Sequence, residues 1–330
     1  MEGPSAARWR SIKLEVFLPS GRCETVAVWQ HGDVTDLKIA AQRLLGQRFL
    51  RLAEAEGRLL DPTESLQLSG LQDGDSIAAI AQQPKIAANS RAFALWCVGG
   101  PRIVTWGDPG FGGDSSRVQD QLKNVKQICG TFGAFAAISA DGTVVTWGDP
   151  RQGGDSSRVQ HQLRNVQHIC GAAYAFAAML EDGSVVTWGN PHQGGDSSRV
   201  QDQLKNVQQI CATFDAFAAI LADGTVVTWG DPDNGGDSSR VQHQLQNVQQ
   251  IFATDGAFAA ILEDGSVVTW GDPHQGGDSS RVQDQLKNVQ QICGTFGAFA
   301  AISADGTVVT WGTPHQGGDS SRVQYEITYA

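Results

Sequence analysis

The phrase Val-Thr-Trp-Gly occurs six times, with its tryptophans at Trp106, Trp147, Trp188, Trp229, Trp270 and Trp311, and every interval is 41 residues. A fixed period in the range of roughly 20–50 residues marks a repeat architecture, in which each copy is one structural unit that buries its apolar face against its neighbours. The period therefore excludes a single irregular core over most of the chain. It also redirects the functional question. Residues present in every copy serve the unit itself, so the six tryptophans read as structural, and function is to be sought where copies differ.

One copy, residues 208–248, shows what the unit is. Residues 208–212 read as a strand. Ala216-Phe-Ala-Ala-Ile-Leu is a second strand, apolar on both faces, which implies burial between two layers. Ala222-Asp-Gly-Thr reads as an Asp-Gly hairpin of type I′, and residues 225–230 as the third strand. Residues 231–236 are a Pro/Gly loop. In Asp237-Ser-Ser-Arg-Val-Gln, Ser239 and Gln242 have the spacing of a capping box. Val282, Leu286 and Val289 in the next copy have helical spacing. A short helical turn linking units is one reading of this stretch, and a fourth, outer strand is the other. Three or four antiparallel strands per copy predict a β-propeller rather than an α-solenoid.

The pattern N-V-x-x-I … A-I-x-x-D-G-x-V-x-x-W-G resembles the regulator of chromosome condensation repeat over about 245 residues. Two departures stand out. The His that usually opens the second strand is replaced by Ala134, Ala175, Ala216, Ala257 and Ala298, and the usual Gly-Gln-Leu-Gly after Trp-Gly is here Gly-Gly-Asp-Ser. The resemblance implies a propeller, commonly of seven blades. Six copies are present, so the ring has six blades or is completed by residues 325–330. In the first copy Gly99-Gly-Pro-Arg replaces the Asp-Gly turn, and the copy starts at Ile86.

The preceding residues do not repeat. Residues 12–18 alternate like a strand, Pro19-Ser-Gly-Arg is a turn, and residues 24–28 form a second strand. Residues 36–45 place Leu37, Ala40, Ala41 and Leu44 on one helical face, with Thr35 as the N-cap and Gly46 as the stop. Short strands follow around residues 49–52 and 58–60, and Ser76-Ile-Ala-Ala-Ile-Ala closes the segment. This order is that of a β-grasp. The internal Gly57-Arg-Leu-Leu-Asp and the Leu66-Gln-Leu-Ser-Gly-Leu run resemble the ubiquitin-like fold over about residues 11–83. Gln82-Gln-Pro-Lys stands where ubiquitin ends in a free Gly-Gly, so conjugation to targets is not expected. Charges in Leu50-Arg-Leu-Ala-Glu-Ala-Glu argue against docking to ordinary ubiquitin receptors. The expected organisation is a tail over residues 1–10, a ubiquitin-like β-grasp domain over 11–85, and a six-repeat propeller over 86–330. The fold class is mainly β: a small α+β domain followed by a propeller of about six blades.

Charge and cysteine usage limit the partners. Residues 1–85 hold 10 Lys/Arg and 11 Asp/Glu, whereas the remainder holds 14 and 24. An acidic repeat region is a poor partner for phosphate backbones, so no nucleic-acid partner is expected. No apolar run is long enough to span a membrane, and the first residues lack the apolar core of a secretory signal. Cys129, Cys170, Cys211 and Cys293 share one repeat position, which reads Phe252 in the fifth copy. A metal ligand or disulfide partner could not become Phe, so the column reads as small, buried strand residues in a reducing compartment, cytoplasm or nucleus.

No constellation for chemistry emerges. Asp-Ser-Ser recurs six times, with His274 near Asp278 and Ser279, but turn and cap chemistry explains it more simply than a repeated catalytic triad. No enzyme activity, cofactor or metal is expected. Two segments vary between copies. The first reads Thr131-Phe132-Gly, Ala172-Ala-Tyr174, Thr213-Phe214-Asp215, Thr254-Asp-Gly and Thr295-Phe296-Gly. The second contains Phe111, Arg151, His192, Asp233, His274 and His315. In an antiparallel unit both lie at the same end, opposite the nearly invariant Asp-Gly turns. Variable loops on a repeated scaffold are where binding residues concentrate, though drift in exposed loops would give the same variation. The expected role is a non-enzymatic protein-interaction scaffold or adaptor, linked through the resemblance to ubiquitin pathways. The alternative is a guanine-nucleotide exchange factor acting on a small GTPase, as in the founding member of the repeat family.

Overall fold

Two units make up the chain, Met1–Lys85 and Ile86–Ala330. The computed structural model describes residues 10–98, 100 and 102–323. Most of the N-terminal tail, part of the Gly99-Gly-Pro-Arg segment and residues 325–330 lie outside the described residues.

In the first unit, β1 (Ser11–Phe17) pairs antiparallel with β2 (Cys23–Trp29), from Ser11 opposite Trp29 to Phe17 opposite Cys23. β4 (Ser76–Ala81) runs parallel to β1 and antiparallel to β3 (Leu50–Glu54), giving the order β2-β1-β4-β3. The strict alternation of β1 sends Ile12, Leu14 and Val16 to one face, where they pack with α1 (Val34–Leu45). This is the β-grasp arrangement. Three expectations are corrected. The N-cap is Asp33, not Thr35: the Asp33 carboxylate accepts from the Asp36 N–H, while Asp36 accepts in return from the Asp33 N–H. Thr35 instead donates its hydroxyl to the Pro62 carbonyl at 2.6 Å. The buried helix face is Val34, Leu37, Ala41 and Leu45, with Ala40 packed partly against it, and Leu44 is exposed, because positions i, i+4 and i+8 align Leu45 rather than Leu44 with Leu37 and Ala41. Residues 58–60 form no strand; Leu59 makes a single bridge to Ala53.

The second unit, together with Pro84 and Lys85 just before it, forms six three-stranded blades. Blade 1 is β5 (Pro84–Ala88), β6 (Ala92–Cys97) and β7 (Ile103–Gly107). Blade 2 is β8 (Val125–Gly130), β9 (Ala134–Ser139) and β10 (Val144–Gly148). Blade 3 is β11 (Val166–Gly171), β12 (Ala175–Leu180) and β13 (Val185–Gly189). Blade 4 is β14 (Val207–Ala212), β15 (Ala216–Leu221) and β16 (Val226–Gly230). Blade 5 is β17 (Val248–Ala253), β18 (Ala257–Leu262) and β19 (Val267–Gly271). Blade 6 is β20 (Val289–Gly294), β21 (Ala298–Ser303) and β22 (Val308–Gly312). In every blade the second strand lies in the middle. The first strand of blades 2–6 carries a bulge at one position, as between Val207 and Gln209, which adds local twist.

The segment linking blades forms tight i→i+3 turns rather than a fourth strand. Val241, Gln244 and Leu245 donate their N–H groups to Ser238, Val241 and Gln242. The capping box is replaced by a different set of bonds. Asp237 accepts from the Ser239 N–H, the Ser238 hydroxyl donates to Gln242 Oε1, and Gln242 Nε2 reaches the Val226 carbonyl. The Asp-Gly hairpin is also not type I′. Gly224 has φ +77, but Asp223 is not among the positive-φ residues, and the Leu221 N–H bonds to the Thr225 carbonyl across a three-residue loop. That is a type I turn closed by a left-handed glycine, the usual three-residue hairpin.

Blades pack face to face. Ala134, Ala136, Ile138 and Val144 of blade 2 meet Ile169, Phe176, Val186 and Trp188 of blade 3, and equivalent cores join each consecutive pair. Within each blade a Phe of the second strand stacks on the tryptophan of the third, with ring centroids 5.2 Å apart in blades 2–6. Five of the six repeat tryptophans are 4–5% exposed. Trp106 is 42% exposed, which corrects the expectation that all six are buried: no blade precedes it. Among the described residues no core joins blade 6 to blade 1.

Candidate functional site

The turn between the first and second strands of each blade is held by its neighbours. The Phe132 N–H donates to the Ala173 carbonyl at 2.7 Å, Ala173 to Phe214 at 2.8 Å, Phe214 to Asp255 at 2.7 Å, and Asp255 to Phe296 at 2.9 Å. At the other end Ser90 donates both its N–H and its hydroxyl to the Phe132 carbonyl. Backbone hydrogen bonding at each of the five blade junctions thus threads the same rim through all six. In four of the six turns Thr131, Thr213, Thr254 or Thr295 caps the start of the second strand by accepting from the N–H three residues on, while its hydroxyl donates to the carbonyl of the second variable segment in the same blade, as Thr131 does to Gln152 at 2.8 Å; Asn89 makes the equivalent bonds in blade 1. The two variable segments therefore share one rim.

The ladder sets three aromatic side chains against one another. The ring centroids of Phe132 and Tyr174 lie 6.1 Å apart, those of Phe132 and Phe214 5.6 Å, and those of Tyr174 and Phe214 6.2 Å. These separations are those of mutually attracting offset and edge-on pairs. Phe132 is exposed, and Tyr174 and Phe214 are half-buried. Phe296 is 71% exposed and stands apart from this cluster.

Carboxylates flank the aromatics. Asp215 accepts from Gln193 Nε2 at 2.7 Å. Burial pushes its carboxyl above the ordinary aspartate value; the Gln193 bond opposes that, and the charge of Asp231 adds to it. Asp255, which takes the aromatic position of the ladder in blade 5, is likewise raised by burial. In the sequence Asp255 stands out only as part of a varying segment. Its membership of the ladder is a matter of backbone bonding, for which side-chain periodicity carries no signal.

The residues of the second segment are placed differently. Arg151, His192, Asp233 and His274 sit in single helical turns opened by proline, and each gives its N–H to the side chain two positions earlier: Asp149, Asn190, Asp231 and Asp272. Their own side chains, and that of His315, are exposed. The Arg151 guanidinium pairs with Asp149 at 3.3 Å. Phe111 is half-buried beneath the Arg91 guanidinium, 4.5 Å from the ring centre. Among the described residues none of them joins the Phe132, Tyr174 and Phe214 ring pairs.

Elsewhere the chemistry is local. Each Asp-Ser-Ser aspartate accepts from the N–H two residues on, as Asp237 does from Ser239. Among the described residues no three His, Cys, Asp or Glu side chains are arranged to hold a metal. Cys129 and Cys211 lie between first strands, and burial pushes each thiol up to about 11. Cys170, between them, is raised further for the same reason. No described helix is long and apolar enough to cross a membrane.

No protein-family model matches the chain, and no curated protein matches it. Solved structures are similar in fold. Yeast RCC1 (Prp20), in a crystal structure with Kap60, is 16% identical, with a TM-score of 0.45 and 70% of each chain covered. Human WBSCR16 is 16% identical, with a TM-score of 0.44 over 72% of this chain and 79% of that one. The first unit is similar to the ubiquitin of Caldiarchaeum subterraneum, at 22% identity and a TM-score of 0.21, covering 22% of this chain and 96% of that one.

Proposed function

We propose that the chain is a non-enzymatic protein-binding scaffold whose contact surface is the aromatic rim of blades 2–5. The observation that supports this reading is the mutual packing of Phe132, Tyr174 and Phe214 on an accessible rim, beside the half-buried carboxylates Asp215 and Asp255. Three aromatics on three different blades have no need of one another for the interior, which is filled by the Phe–Trp pairs. Exposed aromatic clusters ringed by polar groups are the usual anchors of protein interfaces. The acidic flank selects a partner segment that combines apolar side chains with Lys or Arg.

Selection of peptides from a random library on the immobilised chain tests this. Enrichment of apolar segments carrying Lys or Arg is expected. Binding should fall at least tenfold in a Tyr174→Ala, Phe214→Ala double variant and persist in a Thr143→Lys, Ser184→Lys variant, which alters the Asp-Gly turns at the opposite end. Loss in the second variant but not the first would place the partner on the other face. The alternative function, exchange-factor action on a small GTPase, is separated by a nucleotide-release assay over a GTPase panel. Prp20p of Saccharomyces cerevisiae, similar in fold, binds Gsp1p and histones.

A further inference from the structure

Every blade-to-blade contact in the repeats uses the same two faces. The leading face of blade 2 consists of Cys129, Ala134, Ala136, Ile138 and Val144. The trailing face of blade 3 that covers it consists of Ile169, Phe176, Ala178, Val186 and Trp188. This pairing occurs five times. One face of each kind is left over, at opposite ends of the series. The trailing face of blade 1 presents Ile86 (59% exposed), Phe93 (42%), Val104 (57%) and Trp106, whose counterparts in blade 2 are no more than 8% exposed. The leading face of blade 6 presents Ile302 at 42%, against 0% for Ile138, together with exposed Cys293.

The polar groups left over also match. In blades 2–6 the tryptophan Nε1 donates to a glycine carbonyl of the preceding blade, as Trp147 does to Gly112 and Trp311 to Gly276. Trp106 Nε1 and the Gly317 carbonyl, the donor and acceptor of the next such bond, have no partner among the described residues. In the rim ladder the Phe296 N–H and the Ser90 carbonyl are the two ends without a partner among the described residues. A Cβ on Gly276 would meet the Phe299 ring at 2.6 Å, but one on Gly317 would meet nothing within 4 Å, so that cradle lacks its phenylalanine.

We propose that the chain associates head to tail with a second copy of itself, the trailing face of blade 1 in one molecule seating on the leading face of blade 6 in the next. Both faces are exposed in the same molecule, so they do not satisfy one another within it. Each apolar side chain, donor and acceptor on one face has its complement on the other, and the molecule already builds that interface five times. Because the two faces differ, the contact is heterologous, and it produces chains or closed rings rather than a symmetric dimer. It leaves the aromatic rim clear.

Sedimentation velocity on the full chain across a wide concentration series tests the proposal. The weight-average mass should rise beyond that of a dimer with concentration. Val104→Lys spoils one face and Ile302→Lys the other, so each variant alone should stay monomeric while keeping the wild-type circular dichroism. Mixed together they should form a heterodimer and nothing larger, because each supplies the face the other lacks; this outcome also shows that both are folded. Alkylation of Cys293 should slow as wild-type concentration rises, with Cys23 as the unchanging control. A wild type that stays monomeric, variants that assemble as the wild type does, or a mixture that does not pair would each overturn the proposal. So would Cys293 already protected in the dilute monomer, which would mean that the two faces close within one molecule.

Discussion

Trp229 Nε1 donates to the carbonyl of Gly194, 35 residues earlier and one blade back, at 3.1 Å. The same bond recurs at each blade junction, so the indole ties its blade to the one before while its ring stacks on Phe217. Trp229→Ala should cost about 3–5 kcal/mol, the range for removing a buried aromatic. Trp106→Ala, at an exposed position without this bond, should cost no more than about 1 kcal/mol. Urea denaturation of both variants checks the contrast.

Gly224 and Gly306 separate two costs that usually come together. Both are left-handed, with φ +77 and +85. A Cβ on Gly224 would lie 2.9 Å from the Asn247 Cα, whereas one on Gly306 would meet nothing within 4 Å. Gly306→Ala should therefore carry only the left-handed penalty of about 1–2 kcal/mol. Gly224→Ala should lose measurably more, because the backbone of the next blade must move. Equal losses in thermal melts would show that blade 5 yields freely.

The pH dependence of stability has two opposing parts. Asp223 is held below the ordinary aspartate value of 3.8 by the Thr225 hydroxyl and N–H, and Asp182 likewise by Ser184. For such groups the folded chain gives up the proton more readily than the unfolded chain. The stability they contribute is present above the ordinary aspartate value and is lost as pH falls through the folded one. Asp215 and Asp255 are raised, so they disfavour folding as pH rises past the ordinary value toward the folded one. Asp215→Asn, which keeps an acceptor for Gln193, should raise the melting temperature at neutral pH and leave it unchanged well below pH 4. Calorimetry at the two pH values decides it.

Thiol chemistry should divide the cysteines by position in the blade series. Cys23 and Cys293 are exposed, while burial raises the thiols of Cys129, Cys170 and Cys211. A thiolate-selective reagent at mildly alkaline pH should label the first two rapidly in dilute solution and the other three only on unfolding. Mass spectrometry of the labelled peptides reads this out. Fast labelling of Cys170 would mean that the first strands of blades 2–4 part readily.

Residues 1–85 should fold alone. Their core, built from Leu14, Val26, Leu37, Leu50 and Ile77, draws on no residue of the repeats. Expressed by themselves they should give a dispersed amide spectrum and a cooperative melt. A collapsed spectrum would show that the helix and sheet depend on the rest of the chain.

The sequence by itself determined the unit and its interior. A 41-residue period, an apolar second strand, an Asp-Gly turn and the Val-Thr-Trp-Gly strand settle which side chains are buried, because burial follows side-chain periodicity. The same pattern also marked the varying rim segments. Only the tertiary structure decided how that interior is tied together. The Asp-Gly loop is three residues long because Gly224 alone takes the left-handed conformation, and the helix cap is Asp33 because the backbone turns two residues before Thr35. The Phe132–Ala173–Phe214–Asp255–Phe296 ladder runs through N–H and C=O groups that every residue carries, so no residue type announces it. Trp106 and Trp229 stand in the same Val-Thr-Trp-Gly-Asp-Pro stretch. Their different exposure comes from what lies one blade away, and a periodic sequence does not record which copy has no neighbour.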